Sequence, residues 1–289
     1  MGDISNIASL ADKSFSGPIE FPGLGLVLNP PKTFFGTNIH WYGIIIAFGM
    51  VLAILLCMYL ARRNSLSEEN ILDVAIWATP IGIICARIYY VVFSFDQYKD
   101  RLADIFKIWE GGIAIYGCVI GAIATVLVYC RIKKLSPLKL MDVCCIGLAL
   151  GQSVGRWGNF VNREAFGSAV ADTYILRMKL YTTPDMTTWA TVHPTFLYES
   201  LWTFALFVLL LVVIRKKKFD GQVFWTYLSF YGLGRFFIEA LRTDSLYLGA
   251  FRVSQLVAVV AVVTGVSMLI RGYKSQNKSK NIQNNQSNL

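Results

Sequence analysis

The chain has 289 residues, of which 55% are hydrophobic and only 16% are charged, and its formal net charge is +9. Soluble domains carry about 25% charged residues, so this chain has too few charges to cover a soluble globule. Its apolar residues are clustered in runs of about 20, the length that crosses a bilayer as a helix. These properties exclude a soluble enzyme, a disordered tail protein and a nucleic-acid-binding domain, and they indicate a polytopic membrane protein.

Seven apolar segments follow one another along the chain and predict seven transmembrane helices. Their predicted bounds are 39–61, 71–93, 110–130, 138–158, 195–214, 222–241 and 253–270. The runs are continuous rather than alternating, which favours helices over a transmembrane barrel, so the predicted fold class is all-α and polytopic. The residues before 39 lack the short basic and then apolar pattern of a cleaved signal peptide, which predicts that the first helix is retained.

The positions of the basic residues predict the orientation of these helices. One set of short loops and flanks holds Arg62, Arg63, Arg131, Lys133, Lys134, Lys139, Arg215, Lys216, Lys217, Lys218, Arg271, Lys274, Lys278 and Lys280. The loops on the other side are longer and partly acidic. The positive-inside rule therefore places the N-terminus outside and the C-terminus in the cytoplasm. This topology also explains the net positive charge without a nucleic-acid partner.

The segments outside the helices complete the predicted domain organisation. Residues 1–38 form an extracytoplasmic N-terminal segment, and 39–271 form the seven-helix membrane domain. Within that domain, apolar residues recur at helical spacing over 94–109, which predicts an amphipathic arm in the outer interface. Residues 159–194 form an extracytoplasmic segment with too few apolar residues for a large independent domain. The polar, low-complexity segment 272–289 predicts a disordered cytoplasmic tail.

The cysteines and glycines give no sign of a metal or a cofactor. The cysteines are Cys57, Cys85, Cys118, Cys130, Cys144 and Cys145, and all lie in or at the edges of apolar segments. We interpret them as small buried hydrophobic residues, because they have neither the location of secreted disulfides nor the spacing of a zinc site. The short glycine pairs are not phosphate-binding loops.

Polar and ionisable side chains inside the predicted helices indicate a functional site, because such residues are costly in a membrane. In the predicted orientation most of them fall in the outer parts of six helices, which predicts a polar cavity at the outer leaflet. They include His40, Tyr42, Arg87, Glu110, Tyr116, Arg156, Asn159, Asn162, Glu164, His193, Tyr198, Glu199, Arg235 and Glu239. Asp73 and Asp142 fall near the inner ends instead.

Arg156 and Arg235 are the strongest candidates for binding an anion. Arg156 has no acidic residue three or four positions away, and two glycines beside it leave room for close approach of a ligand. A phospholipid phosphate suits its planar guanidinium fork, and the alternative partner is Glu164 or Glu239 from elsewhere in the fold. Arg235 and Glu239 are four residues apart and share a helix face, an arrangement that also permits a simple intrahelical ion pair.

The segment Gly155-Arg-Trp-Gly-Asn-Phe-Val-Asn-Arg-Glu-Ala-Phe-Gly167 resembles the signature G-R-x-G-N-F-x-N-x-E-x-x-G of the bacterial prolipoprotein diacylglyceryl transferase family. Other family-like pieces occur in the family's order, namely His40-Trp-Tyr-Gly43, Trp109-Glu-Gly-Gly112, His193-Pro-x-x-x-Tyr-Glu199 and Tyr231-Gly-x-x-Arg-Phe-x-x-Glu239. The resemblance covers about residues 20–270. It implies an enzyme of the bacterial cell membrane that moves the diacylglyceryl group of phosphatidylglycerol to the lipobox cysteine of a prolipoprotein. This is the first step of lipoprotein maturation, in which glycerol phosphate leaves and a thioether remains.

The resemblance also implies roles for individual residues. The residues assigned to catalysis are Arg235, Glu239, Tyr42, Asn159, Glu164 and Tyr231. The residues assigned to substrate binding are Arg156, which would hold the lipid phosphate, Asn162, Gly167, Tyr116, His193 and Arg87. Tyr116 stands where many members carry a histidine proposed to activate the thiol, and tyrosine is a poor base at neutral pH. The proton acceptor is therefore left open among Glu239, Glu164, His40 and His193.

Two classes of function fit these features. A transferase would use phosphatidylglycerol and a prolipoprotein lipobox peptide, with no nucleic acid, metal or cofactor, in a cavity facing the outer leaflet of the cytoplasmic membrane. A phospholipid-binding transporter or flippase would use the same arginines without chemistry. Transporters usually contain repeated halves and a midplane site, and neither is recognisable in this sequence, which favours the transferase.

Overall fold

The computed structural model describes residues 15–183, 186–243 and 245–287. Seven long helices dominate this part of the chain. They are α1 (Trp41–Arg63), α2 (Glu68–Phe93), α3 (Ile115–Lys133), α4 (Pro137–Asn162), α5 (Thr195–Arg215), α6 (Gln222–Leu241) and α7 (Val253–Ser287). Six of them, all except α6, are long and apolar enough to cross a membrane. The prediction of a mostly helical, multi-pass membrane protein is therefore confirmed.

Several helix ends differ from the predicted bounds for local reasons. α2 begins at Glu68 rather than at residue 71, because the side chain of Ser67 caps it by accepting a hydrogen bond from the backbone N–H of Glu69 at 3.2 Å. α3 begins at Ile115 rather than at residue 110, because two glycines before it have φ of 92° and 73°. Positive φ values of this kind are readily adopted by glycine and are incompatible with a right-handed helix.

The tail predicted to be disordered is instead helical as far as Ser287, because α7 continues beyond its apolar stretch. The sequence contains neither glycine nor proline from Tyr273 to Ser287. An existing helix therefore extends residue by residue without the cost of a new nucleus. The prediction for 272–289 was wrong over the part of that segment that the structure describes.

Four short strands form an antiparallel sheet that the sequence analysis did not predict. They are β1 (Ser16–Phe21), β2 (Leu26–Leu28), β3 (Met178–Tyr181) and β4 (Trp189–Val192), in the order β2-β1-β3-β4. β1 pairs with β3 in a register that places Glu20 opposite Lys179. The sheet therefore joins the segment before α1 to the segment between α4 and α5.

A hydrophobic cluster lies between this sheet and the adjoining ends of two helices. Its members are Phe15, Ile19, Phe21, Phe160, Phe166, Met178, Leu180, Ala190, Val192 and Phe196. In β4 the buried residues Ala190 and Val192 alternate with more exposed ones, as expected for a strand with one buried face, whereas β3 buries Met178, Leu180 and also Tyr181. The N-terminal segment and the segment between α4 and α5 thus build this cluster together.

Arg163 fastens the N-terminal segment to the end of α4. Its guanidinium donates to the backbone carbonyls of Gly17 and Val161 at 2.9 Å and of Pro30 at 3.1 Å, and to the side chain of Asn29 at 3.1 Å. The residue is only 5% exposed. A buried arginine is tolerated here because carbonyl and amide oxygens replace the water around its donors.

The segment 94–109, predicted as one amphipathic arm, consists of short 3-10 turns rather than a continuous helix. The turns cover Phe95–Gln97, Leu102–Phe106 and Ile108–Glu110. Leu102, Phe106 and Trp109 are 57%, 80% and 77% exposed. The segment exposes the apolar side chains expected at a membrane interface, but its backbone forms short turns instead of an amphipathic helix.

The described residues group into two compact units. One contains the residues up to Ala53 and those from Cys145 onward, and the other is Ile54–Cys144. In the second unit α2 and α3 pack closely through small residues, for example where Gly121 meets Cys85. At the other end of this pair Tyr129 donates to Asp73 at 2.8 Å. Small residues at helix contacts are typical of membrane helices, because they let the backbones approach.

A second small hairpin follows α6. It is formed by β5 (Tyr247–Leu248) and β6 (Phe251–Arg252). It leads directly into α7, and it brings the side chain of Arg252 back to the end of α6, where its guanidinium donates to the backbone carbonyl of Glu239. A cation near the carboxyl end of a helix is electrostatically favourable.

Candidate active site

Glu199, near the start of α5, lies at the centre of a charged cluster built from three helices. One carboxylate oxygen pairs with Nη2 of Arg156 on α4, and the other accepts a hydrogen bond from Nη1 of Arg235 on α6 at 3.2 Å. The Glu199 side chain is 5% exposed, whereas those of Arg156 and Arg235 are 24% and 18% exposed. A buried carboxylate thus holds two arginines that keep accessible surface.

The cluster continues in both directions from these three residues. Beyond Arg235, the carboxylate of Glu239 lies 2.5 Å from Nη2 in an ion pair, and the Glu239 side chain is 2% exposed. Beyond Arg156, Nη1 donates to Oδ1 of Asn159 at 3.2 Å, and Nδ2 of Asn159 donates to Glu164 at 2.9 Å. Five of the predicted site residues are therefore brought together.

Two serines fix the register of α4 against α5 close to the arginine. Oγ of Ser153 donates to the carbonyl of Ser200 at 3.0 Å, and Oγ of Ser200 donates to the carbonyl of Ser153 at 2.9 Å. Ser153 precedes Arg156 by one helical turn, and Ser200 follows Glu199 directly. This reciprocal pair aligns the two helices so that the arginine meets the carboxylate.

Trp202 fixes the register of α5 against α6 in a similar way. Its indole N–H donates to the carbonyl of Phe230 at 2.9 Å, and its ring occupies the space that a side chain at Gly234 would need. Gly234 directly precedes Arg235. The glycine therefore permits the close approach that brings Arg235 within reach of Glu199.

Tyr42 packs against α4 beside the cluster. A Cβ atom added to Gly158 would lie 2.7 Å from Cδ2 of Tyr42, and one added to Gly155 would lie 3.1 Å from Cδ1 of Ile46. The two glycines therefore accommodate side chains of α1. The interpretation that they leave room for an anion beside Arg156 was wrong, because that space is occupied by the packing of α1.

Tyr231 lies on α6 one turn before Arg235. Its ring stacks on that of Tyr227, with centroids 5.5 Å apart and planes inclined by 9°. The hydroxyl of Tyr227 in turn donates to Gln152 on α4 at 3.1 Å. The stacked pair supports the face of α6 that carries the cluster.

Gly167 and His193 lie together in the connection between α4 and α5. The backbone N–H of Gly167 donates to the carbonyl of His193 at 2.9 Å, and a Cβ on Gly167 would lie 2.7 Å from that of His193. The next residue, Ser168, donates its N–H to the carbonyl of Leu241 at the end of α6. Gly167 thus permits a tight junction of three segments around the cluster.

The imidazole of His193 belongs to a small aromatic group. Its Nδ1 lies 3.3 Å from the hydroxyl of Tyr198, which lies 2.9 Å from the hydroxyl of Tyr174. Burial lowers the pKa of His193 below its usual value, so the ring is neutral at neutral pH. Asn162, at the end of α4, is half-buried, and among the described residues its side chain has no hydrogen-bond partner.

Arg87 and Tyr116 belong to the second compact unit. The guanidinium of Arg87 is enclosed by backbone carbonyls, an arrangement called here the Arg87 cage. Its acceptors within 3 Å are the carbonyls of Asp104 (2.7 Å), Ile105 (2.8 Å), Gly111 (2.7 Å) and Gly112 (2.9 Å). Arg87 is 6% exposed. These contacts fasten the segment after α2 to the helix that precedes it.

A cavity of about 300 Å³ adjoins the Arg87 cage and is also lined by Tyr90, Tyr98 and Arg101. Tyr116, at the start of α3, places its ring 6.3 Å from that of Tyr89. These contacts do not test substrate binding by Arg87 and Tyr116, which stays a prediction.

Comparison with known proteins bears on the whole cluster. A family model described as prolipoprotein diacylglyceryl transferase matches residues 32–271, a range that contains every residue of the cluster.

This chain belongs to the prolipoprotein diacylglyceryl transferase family.

Relatives of this transferase come from several bacteria. Proteins named phosphatidylglycerol–prolipoprotein diacylglyceryl transferase from Finegoldia magna, Clostridioides difficile and Listeria innocua are 46%, 43% and 46% identical to it over 249, 250 and 236 residues. The matches cover 84%, 86% and 81% of this chain and 94%, 96% and 85% of the relatives. The family resemblance inferred from the motifs is confirmed, and the chain is an enzyme of the transferase class.

The central role of Glu199 in this transferase does not follow from the sequence. Glu199 is an ionisable group at the start of the fifth helix and the last residue of a family-like motif. Its partners lie 43 and 36 positions away along the chain. No local spacing indicates such a pairing, so only its cost as a carboxylate in an apolar helix signalled it.

Proposed function

We propose that this chain transfers the diacylglyceryl group of phosphatidylglycerol to the thiol of the lipobox cysteine of a prolipoprotein. The observation that carries the proposal is the pair Arg156 and Arg235, which project from different helices and share one buried carboxylate while keeping accessible surface. Two guanidinium groups suit the oxygens of a phosphate diester. The names of the relatives give the same two substrates.

The reaction requires a sulfur–carbon bond to form while a carbon–oxygen bond breaks. The thiolate attacks the glyceryl carbon that carries the phosphate, and glycerol phosphate leaves with the bonding electrons. Negative charge therefore grows on the leaving phosphate. Arg156 and Arg235 stabilise that charge more in the transition state than in the ground state, which is the requirement for catalysis.

The neighbouring residues support this role in different ways. Glu239 and Asn159 orient the two arginines, and Glu164 orients Asn159. The aromatic rings of Tyr42 on α1 and Tyr231 on α6 line the site beside the arginines. The half-buried amide of Asn162 and the ring of His193 are proposed to contact substrate at the end of α4 and the start of α5. Gly167 keeps these segments together.

We also propose seven membrane crossings, with the charged cluster towards the outer leaflet of the cytoplasmic membrane. Because β1 pairs with β3, the segment before α1 and the segment after α4 must lie on the same side of the membrane. Four crossings by α1 to α4 satisfy this condition. A bridge between Gly167 and Arg242 imposes the same condition before α5 and after α6. α6 therefore crosses the membrane in the direction opposite to α5, although its polar residues lower its hydropathy. The basic loops then place the sheet outside.

A transfer assay tests the proposed function. Purified protein is mixed with phosphatidylglycerol labelled in its acyl chains and with a lipobox peptide, either intact or with its cysteine replaced by alanine. The label is expected on the cysteine peptide alone, with glycerol phosphate released in equal amount. If the labelled lipid binds to the protein or moves across the membrane but is never attached to the peptide, the protein is better described as a transporter or flippase. The proposal then fails.

A further inference from the structure

We infer that Glu199 is the group that accepts the thiol proton, after the lipid phosphate has displaced it from Arg156 and Arg235. This inference rests on the proposed transfer. It adds a catalytic residue that neither the sequence motifs nor the arrangement of the family-like pieces assigned.

Glu199 lies between the two arginines. Each of its two carboxylate oxygens is engaged by a different arginine. The arginines are about four times as exposed as the carboxylate, so a ligand arriving at the cluster meets the guanidinium groups first. A phosphate that takes both guanidinium groups must compete with Glu199, because it is the partner that the two arginines share.

Charge balance also favours Glu199. Arg156, Arg235, Glu199 and Glu239 carry two positive and two negative charges, so these four directly paired residues are neutral together before substrate binds. A phosphate diester brings one further negative charge. Arg235 keeps Glu239 as a partner, but Glu199 loses its cations and is left as a buried, unpaired carboxylate. Such a group is costly, and taking up a proton removes the cost.

Nothing in the described contacts of Glu199 supplies that proton. Among the described residues, Arg156 and Arg235 contact its carboxylate, and the buried phenol of Tyr227 on α6 interacts with it electrostatically. None of these is an acid at neutral pH. The lipobox thiol, which ionises near pH 8.5, is the acid that the reaction itself supplies. Its proton moves to Glu199 as the sulfur attacks, the carbon–oxygen bond breaks, and Glu199 later returns the proton to the departing phosphate or to water.

The alternative proton acceptors are less well placed. Glu239 keeps its ion pair with Arg235, and the backbone carbonyl of the same residue holds Arg252. Glu164 is exposed and is engaged by Asn159. The imidazole of His193 is engaged by the hydroxyl of Tyr198. Glu199 is the carboxylate whose partners the substrate itself removes.

The test compares Glu199→Gln with the parent protein in the transfer assay, at several phosphatidylglycerol concentrations and between pH 7 and pH 9. Glutamine keeps the shape but neither the charge nor the basicity. At pH 7 we expect kcat to fall roughly 100-fold, while KM for phosphatidylglycerol is unchanged or lower because the competing charge is gone. The deficit should shrink roughly tenfold by pH 9, because solvent then ionises most of the thiol.

Several results would overturn the inference. They are near-parent activity, a raised KM with unchanged kcat, and a deficit that is equal at every pH. Glu69→Gln, an exposed carboxylate in the first turn of α2, is the matched control and should retain parent kinetics. If Glu199→Gln does not fold, Glu199→Asp replaces it. That variant keeps a carboxylate, so it should retain roughly a tenth of the parent rate with the parent pH profile, and a folded but inactive variant contradicts the inference. A parent protein without transfer activity would refute the proposed function instead.

Discussion

Arginines are buried in two ways in this molecule, and the two ways differ in the partners of the guanidinium group. In the Arg87 cage the guanidinium donates to backbone carbonyls of one segment, which are neutral and fixed by the fold. In the charged cluster Arg156 and Arg235 face carboxylates. A carboxylate can be exchanged for another anion, such as a phosphate. The carbonyls of a cage can be removed only by unfolding the segment that carries them.

Arg163 shows that this difference is not a property of one part of the chain. It lies in the same compact unit as the charged cluster, yet its acceptors are carbonyl and amide oxygens, as in the Arg87 cage. Its contacts hold the N-terminal segment to the end of α4. The type of acceptor, rather than the depth of burial, therefore distinguishes the two groups of arginines, and the proposed function assigns phosphate binding to those that face carboxylates.

The largest expected effect is the loss of transfer activity when Arg156, whose carboxylate partner can be exchanged for a phosphate, is replaced. Arg156→Ala should lower the rate of transfer roughly 1,000-fold, because a cation beside the leaving phosphate is lost. Arg156→Lys should recover little, because lysine lacks the planar fork. The measurement is the transfer assay at saturating phosphatidylglycerol. Arg131→Lys, at an exposed position in the last turn of α3, is the control, and an Arg156→Lys enzyme with near-normal activity would disprove two-pronged phosphate binding.

The next effect should be on stability rather than on rate. Arg87→Ala removes four hydrogen bonds to the carbonyls of the Arg87 cage and should lower the free energy of unfolding by about 3 kcal/mol. The measurement is denaturant or thermal unfolding in detergent, with transfer expressed per folded molecule and expected to stay close to the parent value. Unchanged stability together with a raised KM for phosphatidylglycerol would show that Arg87 contacts substrate and would remove the distinction between the two regions.

The smallest expected effect concerns a glycine beside the cluster. Gly158→Ala places a Cβ atom 2.7 Å from the ring of Tyr42, which should cost about 1–3 kcal/mol of stability and lower transfer roughly tenfold as the ring shifts. Gly151→Ala is the matched control, because its Cβ would meet that of Ala53 at an ordinary 3.7 Å. Equal behaviour of the two variants would mean that the position of Tyr42 is unimportant for the chemistry.

Much of the fold followed from the sequence because a membrane imposes a simple rule on helices. A run of about 20 apolar residues satisfies its backbone hydrogen bonds internally, so the apolar segments predicted all seven helices, although α6 is less apolar than the other six. The sheet obeys no such rule. β1 and β3 have six and four residues, and the four helices α1 to α4 lie between them along the chain. The composition of either strand does not indicate which strand it pairs with.

The candidate site divides in the same way. Arg156, Asn159 and Glu164 lie within one motif, and Arg235 and Glu239 lie one turn apart, so local spacing alone predicts that the members of each group lie together. The link between the groups is Glu199, and no periodic relation connects it with either. The Arg87 cage could not be predicted from the sequence either. Its acceptors are backbone carbonyls, and the type of residue does not determine where its carbonyl points.

The composite sheet has a consequence for the order of assembly. β1 leaves the ribosome before α1, whereas its partner β3 follows about 160 residues later. At a synthesis rate of about 5–20 residues per second, β1 waits roughly 10–30 s for that partner. Its inward residues, including Ile19 and Phe21, remain without their final neighbours during that interval. Closure of the sheet is therefore a late event in biogenesis, and it occurs only after α1 to α4 have been synthesised.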